Sequence, residues 1–336
     1  MSSLGSPVRA QSQAAAVVVS LAGTSIVFRC SSDALATSLR VLFAHHLVAD
    51  DRTWPAPRIE IDLYIDDRCE ARACCVVEGG SGSRRAWRWT LAPATASALP
   101  NRLYYWAILP IVVRALGAED VLRLHAAALA SDWSAGIVVL GPSGAGKSTA
   151  AAGWIAGGGA LIADDTVFAR EVRSAHGSEF WWFGLRRPLH IGPDVLPHLT
   201  ELKGLRSAIE YLPGRGKVAY DWWADCPTRT IAAIPGPRHV ILSAVGDSAR
   251  TRVDPATADA VAEALWEGIA PDGGPVAART AVVERCLEAL HGARAWKVTW
   301  GRDVWSDPRR HYGLVRKLID ESPSPLRAAT VDALRD

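Results

Sequence analysis

A glycine-rich octapeptide in the middle of the chain, Gly141 to Ser148, limits the local fold more tightly than any other segment. Its sequence, GPSGAGKS, matches the pattern G-x-x-x-x-G-K-[ST], in which backbone amides cradle phosphate groups and the lysine reaches them. An apolar run from Ile137 to Leu140 precedes the octapeptide, and a run of small, helix-compatible residues follows it. This order of strand, loop and helix predicts a nucleotide-binding P-loop.

Two adjacent carboxylates, Asp164 and Asp165, follow the next apolar run, Leu161 to Ala163. A helical crossover between two strands of one sheet makes those strands parallel, so both strands end at the same edge. Ligands of open α/β sheets bind at that edge. We therefore expect the loop, its lysine, its hydroxyl group and both carboxylates to converge.

Each group at this edge has a predicted task. Lys147 would neutralise the β- and γ-phosphates, and the Ser148 hydroxyl would ligate Mg²⁺, a cation that prefers oxygen ligands. Asp164 and Asp165 would either hold magnesium, directly or through water, or accept a proton from an attacking hydroxyl. The predicted magnesium ligands are Ser148 and Asp165. The predicted nucleotide-binding residues of the loop and helix start are Gly141, Ser143, Gly144, Ala145, Gly146, Lys147, Ser148 and Thr149.

Three residues outside the loop, His125, Arg187 and Lys217, are further candidates. His125 lies in the apolar run Val121 to Ala130, where it is either a packed core histidine or an active-site residue. Arg187 ends a predicted strand, and Lys217 closes the basic segment Pro213 to Lys217. Both could contact phosphates or an acidic substrate, and both could equally be solvated charges.

Composition excludes several classes of function. A formal net charge of +2 over 336 residues gives no basis for binding nucleic acid. Because no run of about 18 apolar residues occurs, we expect no membrane span. The first twenty residues are expected to be a polar lead into a strand, not a signal peptide. The six cysteines lack zinc-type spacing, which favours reduced thiols in a cytoplasmic protein.

The periodicities predict an α/β chain, α+β overall, with three parts. Residues 1–100 form a small N-terminal α+β module, 101–300 a catalytic domain, and 301–336 a C-terminal helix and tail. In the module, His45 and His46 lie near Asp50 and Asp51, and we interpret them as a solvated helix end, not a metal site.

Several local expectations can be tested directly. Strands over 71–77 and 86–91 flank a loop over 78–85, a weak helix spans 194–211, and a strand spans 218–223. The tryptophan-rich strands around residues 181 and 222 slightly favour a peptide as the substrate.

Residues Val121 to Arg170 resemble the catalytic domain of HPr kinase/phosphorylase and its kinase relatives. The resemblance lies in L-H-A-A-A with His125, in GPSGAGKST, and in LIADDTV with the aspartate pair so soon after the P-loop lysine. The R-R-P-L and G-K-V-A-Y segments also resemble HPr-kinase-related kinases. The resemblance implies a P-loop kinase core of the type shared remotely with phosphoenolpyruvate carboxykinase.

The resemblance also implies roles. One of the two aspartates would accept the proton of a serine-type hydroxyl, the other would help to hold magnesium, and His125 would lie beside that base or the γ-phosphate. The expected activity is transfer of the γ-phosphoryl group from ATP, or another nucleoside triphosphate, to a hydroxyl on a peptide, protein or small metabolite. GTP or pyrophosphate remain alternative donors, and homo-oligomers are possible. The rival functions are a nucleotide-binding regulatory or assembly module and a carboxykinase-like enzyme.

Overall fold

The computed structural model describes residues 15–48, 58–69, 73–81, 84–98, 100–131, 136–174, 177–193, 195–199, 207–208, 217–268, 276–305, 307–320 and 326. The chain divides into two compact units, residues 1–119 and 120–336. The sequence-based boundaries fall after residues 100 and 300 instead. In the structure, the helical segment that begins at Pro100 belongs to the first unit, and the last helix belongs to the second.

The first unit contains a five-stranded sheet and helices. The strands are β1 (Ala15–Leu21), β2 (Thr24–Cys30), β3 (Arg58–Ile65), β4 (Ala73–Ser81) and β5 (Arg84–Leu91). The helices are α1 (Asp33–Leu42), α2 (Pro93–Ala96), α3 (Pro100–Leu103) and α4 (Leu109–Gly117), with a 3₁₀ turn at Ala44–His46 and a π-helical segment at Tyr104–Ile108. The sheet order is β1-β2-β3-β5-β4.

Most of this unit follows the predicted pattern, and one loop does not. Strands β4 and β5 correspond to the predicted strands over 71–77 and 86–91. The predicted loop over 78–85 is wrong, because β4 continues to Ser81 and β5 begins at Arg84. Residues from Glu78 to Ser81 pair with β5, so cross-strand hydrogen bonding overrides the low strand propensity of Gly79 and Gly80.

The second unit is larger. Its strands are β6 (Leu122–Leu124), β7 (Ala127–Ala130), β8 (Gly136–Leu140), β9 (Ala160–Ala163), β10 (Val167–Ser174), β11 (Gly177–Gly184), β12 (Leu189–Ile191), β13 (Ser207–Ala208), β14 (Val218–Tyr220), β15 (Ala233–Pro235), β16 (His239–Val245), β17 (Arg252–Pro255) and β18 (Arg294–Trp300). Its helices are α5 (Lys147–Ala156), α6 (Trp222–Asp225), α7 (Ala258–Gly268), α8 (Val276–Ala289), α9 (Arg302–Trp305) and α10 (Pro308–Asp320), with 3₁₀ turns at Leu196–His198 and Pro227–Arg229.

A six-stranded sheet with the order β17-β18-β16-β8-β7-β9 is the centre of this unit. Its two faces are filled by alternate residues of the same strands, as the two-residue period of a strand requires. Ile137 and Val139 of β8 pack with α5 and α10. Val138 and Leu140 face the opposite core, which contains residues of α7, α8 and a second sheet. Both faces are covered, so strands such as β8 are apolar throughout.

The second sheet has the order β15-β11-β10-β6, and a small third sheet has the order β12-β14-β13. Strands β10 and β11 form an antiparallel hairpin and pair from Val167↔Gly184 to Ser174↔Gly177. The strand predicted over 218–223 is too long. It ends at Tyr220 because the Asp221 side chain accepts a hydrogen bond from Ala224 N and begins helix α6.

The helix predicted over 194–211 is only partly within the described residues. Ser207–Ala208 forms a strand that pairs with β14 and not a helix. The tryptophans that favoured a peptide substrate are mostly core residues. Trp182, Trp222 and Trp223 are buried, and Trp181 is half-buried. They therefore provide structural packing rather than an exposed aromatic surface.

Gly184 provides a test of this packing, because β11 crosses β9 very closely there. An alanine Cβ at position 184 would lie 1.6 Å from the backbone oxygen of Ile162. Backbone cannot rotate away as a side chain can, so we expect Gly184→Ala to lower the free energy of unfolding by about 3 kcal/mol or more. Chemical denaturation measures this loss. Gly236→Ala is the matched control, since its Cβ would meet nothing closer than 3.6 Å, and a similar loss there would contradict the explanation.

Candidate active site

The predicted residues meet at one edge of the six-stranded sheet. Strands β8 and β9 are both antiparallel to β7, which lies between them. They are therefore parallel to each other, and the glycine-rich loop and the aspartate pair leave the same edge, as predicted. Because β7 runs the opposite way, it begins at this edge, and His125 lies two residues before its first residue, Ala127.

The glycine-rich loop has a backbone that glycine makes possible. Gly141, Gly144 and Gly146 have φ angles of 147°, 88° and 87°, in a region that side chains with a Cβ rarely adopt. Gly146 directly precedes α5, whose first residue is Lys147. Ser143 and Gly144 are exposed, Ala145 is buried, and Thr149 is half-buried in the first turn of α5. The first turn of a helix presents unpaired N–H groups and a partial positive charge, which suit an anion.

Lys147 is buried at the start of α5, with 6% of its surface exposed. Its Nζ donates hydrogen bonds to the backbone oxygens of Gly141, at 2.7 Å, and Pro142, at 3.0 Å. Burial lowers the pKa of Lys147, and the nearby charges of Asp165 and Asp164 oppose that effect. The ammonium group thus lies beneath the loop, and its acceptors among the described residues are two neutral backbone oxygens.

Asp164 is the more buried carboxylate, with 3% exposed. Its Oδ2 accepts a hydrogen bond from the backbone N–H of His190 at 3.4 Å, and the Ser148 hydroxyl donates to the same side chain. Its Oδ1 is buried and has no hydrogen-bond partner among the described residues. Burial, followed by the negative charge of Asp165, raises the pKa of Asp164 to about 6. The sequence analysis predicted that Ser148 and Asp165 hold magnesium together. In the structure, the Ser148 hydroxyl contacts Asp164 instead.

Asp165 has a different environment and an unusual backbone, with a φ of 88°. The side chain is 24% exposed, and its Oδ1 lies 3.3 Å from His125 Nδ1. The same nitrogen lies 3.1 Å from the Asp165 backbone oxygen. Since both neighbours are acceptors, Nδ1 carries the proton. The hydroxyl of Thr166 donates to Asp165 Oδ2 at 3.1 Å.

The two carboxylates therefore differ in their affinity for protons. Burial alone would raise the pKa of Asp165, but the hydrogen bond and charge of His125 outweigh it, with help from Arg187 and Arg123, and hold that pKa well below its usual range. His125 is thus half-buried beside Asp165 and is not a packed core histidine. Asp165 therefore stays ionised and is partly exposed to solvent, whereas Asp164 is buried.

Arg187 and Lys217 also lie at this edge. Arg187 is 3% exposed, and its backbone oxygen accepts a hydrogen bond from Trp223 Nε1 at 3.0 Å. Its charge lowers the pKa of Asp165, and the charge of Lys217 lowers that of Asp164. The neighbouring Arg186 instead packs over the Trp223 ring at 5.7 Å. The rest of the predicted basic segment, 213–216, lies outside the described residues.

Sequence reasoning assigned no role to His190, Arg123 or Thr166, which complete the surroundings of the aspartates. His190 is 7% exposed, and no described residue hydrogen-bonds its Nε2. Burial, then the charge of Arg187, lowers its pKa to about 4. Thr166 follows the aspartate pair and was visible in the sequence. Arg123 and His190 reach the site only through strand pairing that no local pattern reveals.

No cluster of three or more His, Cys, Asp and Glu side chains that could hold a metal occurs within the described part of the chain. A magnesium site built from one hydroxyl, one carboxylate and phosphate oxygens would not form such a cluster. In the first unit, the His46 ring Nδ1 lies 3.1 Å from the Ser20 backbone oxygen, while Asp50 and Asp51 lie outside the described residues. No described helix is long and apolar enough to cross a membrane.

The raised pKa of Asp164 predicts a pH dependence of stability. The folded state binds this proton up to a pH of about 6, whereas the unfolded chain releases it near 3.8. This stabilisation is therefore complete below pH 3.8 and is lost as the pH rises through 6, a loss of roughly 3 kcal/mol. Asp164→Asn cannot titrate and so does not lose this stabilisation. As the pH rises from 3.8 to 6, the free energy of unfolding of the variant should therefore rise relative to that of the unaltered protein.

The measurement is chemical denaturation of both proteins between pH 4 and 7, in the presence of a chelator. Comparison with the variant is needed because His190, whose pKa is lowered, contributes in the opposite direction. A difference between the two proteins that is constant with pH would contradict the assigned shift.

No protein-family model and no curated protein sequence matches this chain. Among solved structures, the Hpr(Ser) kinase/phosphatase from Coxiella burnetii is similar over 58% of this chain and 95% of its own, with 13% sequence identity and a TM-score of 0.28.

Proposed function

We propose that this protein is a magnesium-dependent kinase that transfers the γ-phosphoryl group of ATP, or of another nucleoside triphosphate, to a serine-type hydroxyl. The observation that carries the proposal is that Lys147 and Ser148 lie beside two carboxylates, Asp164 and Asp165. The pKa of Asp164 is raised, whereas that of Asp165 is lowered. The proposal includes a P-loop core of the HPr kinase and phosphoenolpyruvate carboxykinase type.

The loop and Lys147 support binding of a polyphosphate. The three left-handed glycines let the backbone curve around an anion, and the start of α5 adds positive potential. Within the described part of the chain, the Lys147 ammonium donates to two backbone oxygens. A phosphate oxygen would be a stronger, charge-assisted acceptor. Arg187 and Lys217 lie where they would add to this positive potential.

Asp164 and Ser148 fit a magnesium ion. Asp164 Oδ1 is buried and has no described hydrogen-bond partner. The Ser148 hydroxyl already donates a hydrogen bond to the same carboxylate group. Bound magnesium would supply neutralisation of the phosphate charge that develops during transfer. In this arrangement Asp164 and Ser148 would hold the ion, directly or through water, and Asp165 would be free for the acceptor.

Asp165 fits the role of the base. His125 and Thr166 orient its carboxylate, and the side chain is the more exposed of the pair. Its low pKa keeps it ionised at neutral pH, so it can accept a hydrogen bond from a substrate hydroxyl and take the proton as the oxygen attacks. A hydroxyl-bearing peptide, protein or small metabolite would meet this requirement.

The Asp165 carboxylate, oriented by His125, favours a kinase over the two alternative functions. A nucleotide-binding regulatory or assembly module needs magnesium but has no use for a second, partly exposed carboxylate oriented by a histidine. A carboxykinase-like enzyme would act on a dicarboxylate, and no described group of side chains specifically favours that reaction. The proposal therefore keeps the alcohol acceptor.

Phosphorus NMR of the purified protein with MgATP tests the function. The reaction is run alone and with a pool of acceptors that includes free serine and peptides encoded beside the gene. We expect a new phosphate ester whose formation requires both acceptor and magnesium. Binding without any transfer across the pool would favour the regulatory module, and no nucleotide binding at all would overturn the interpretation of the loop.

A further inference from the structure

A buried serine next to the glycine-rich loop connects that loop to the sheet behind it. Ser243 lies near the end of β16, the neighbour of β8, and is 4% exposed. Its hydroxyl donates a hydrogen bond to the Ala145 backbone oxygen at 2.5 Å. The hydroxyl oxygen of Ser243 in turn accepts a hydrogen bond from Trp300 Nε1 at 2.7 Å. Because the indole N–H can only donate, the serine proton is committed to Ala145.

The backbone of Ser243 also contacts the beginning of the loop. A Cβ at Gly141 would lie 2.5 Å from the Ser243 backbone oxygen, so the two main chains lie in direct contact. The loop is therefore fixed against β16 at two points, Gly141 and Ala145. The exposed residues Ser143 and Gly144 lie between these points.

Trp300 is itself held in place from the other side. It is fully buried, and its ring lies 4.3 Å from the ring of His311 in α10. A Cβ at Gly153 of α5 would lie 2.9 Å from His311 Cγ. Trp300 of β18 and His311 of α10 thus support the serine that holds the loop. His311 also packs against α5, the helix that follows the loop.

The direction of the bond to Ala145 has a consequence for the next amide. In a trans peptide the C=O and N–H groups point in opposite directions. Holding the Ala145 oxygen against β16 therefore aims the Gly146 N–H away from β16. That amide directly precedes Lys147, in the part of the loop assigned to the phosphates.

We propose that Ser243 is a positioning residue for phosphate binding, whose hydroxyl orients the Ala145–Gly146 peptide so that the Gly146 N–H is available to a bound phosphate. This proposal rests on the proposed function, since it assumes that the loop binds a nucleotide. A residue that served the fold alone would affect stability without affecting that amide.

Ser243→Ala tests the proposal, with Ser25→Ala as the matched control. Ser25 is also a buried strand serine but lies in the other compact unit. We expect Ser243→Ala to weaken MgADP binding, measured by calorimetry, about tenfold, which corresponds to one lost buried hydrogen bond. We also expect faster hydrogen exchange at residues 143–147. Ser25→Ala should change neither quantity, and Ser243→Cys, a weaker donor, should give intermediate values.

Two results would overturn the proposal. One is a Ser243→Ala variant with lower thermal stability but unaltered MgADP affinity and loop exchange. The other is an equal effect of Ser25→Ala on affinity. If the unaltered protein does not bind MgADP, the proposed function fails and the role in phosphate binding fails with it, and loop exchange then tests whether the Ser243 hydroxyl holds the Ala145–Gly146 peptide. Faster exchange in Ser243→Ala alone would show that it does, and equal rates would show that it does not.

Discussion

Asp165→Asn is expected to lower the rate of phosphoryl transfer by about 10²–10⁴-fold while leaving MgADP affinity essentially unchanged. Asparagine matches the shape of aspartate but cannot take a proton. It is also among the few residues that tolerate a positive φ, so the backbone at 88° is not strained further. A loss of activity would then reflect chemistry and not a displaced chain. The measurement is kcat with a confirmed acceptor, beside calorimetry with MgADP.

Asp164→Asn is the informative comparison. If Asp164 holds magnesium through its unpartnered oxygen, this variant should need more magnesium for half-maximal rate and recover part of its activity at high magnesium. Asp165→Asn should not recover. Equal recovery of both variants, or transfer by Asp165→Asn within a few-fold of the unaltered protein, would remove Asp165 from the role of base.

Lys147→Met should lower kcat/KM for ATP by at least about 10²–10³-fold, the usual cost of losing one preorganised electrostatic contact to the reacting group. Methionine keeps a similar length but has no charge and no N–H donor. The loss of stability should be small by comparison, because burial already penalises the ammonium group in the unliganded protein. Steady-state kinetics and thermal denaturation measure the two effects separately.

Lys297→Met is the matched control for this substitution. Lys297 lies in β18 and is exposed, so its replacement should leave kcat/KM for ATP unaltered. A Lys147→Met variant that used ATP as well as the control would show that the ammonium group does not reach the phosphates. The interpretation of the loop would then fail even if a nucleotide still bound.

Local sequence patterns predicted most of the elements around the site. The apolar run before Gly141 became β8, and the apolar run Leu161 to Ala163 lies in β9. The errors arose where strand pairing or a helix cap outweighs the local secondary-structure preference of the residues. Gly79 and Gly80 were assigned to a loop and lie in β4, since their partners on β5 supply the hydrogen bonds. Trp222 and Trp223 were assigned to a strand and lie in α6, where the Asp221 cap decides the outcome.

The loop, its lysine and the aspartate pair followed from the sequence alone, because their geometry is set by residues adjacent in the chain and by the handedness of one crossover. The tertiary structure decided which carboxylate meets which partner. Ser148 reaches Asp164, and His125 reaches Asp165, through the insertion of β7 between β8 and β9. Ser243 meets the loop through a pairing of β16 with β8. Contacts between distant segments depend on strand order, which no single stretch of sequence encodes.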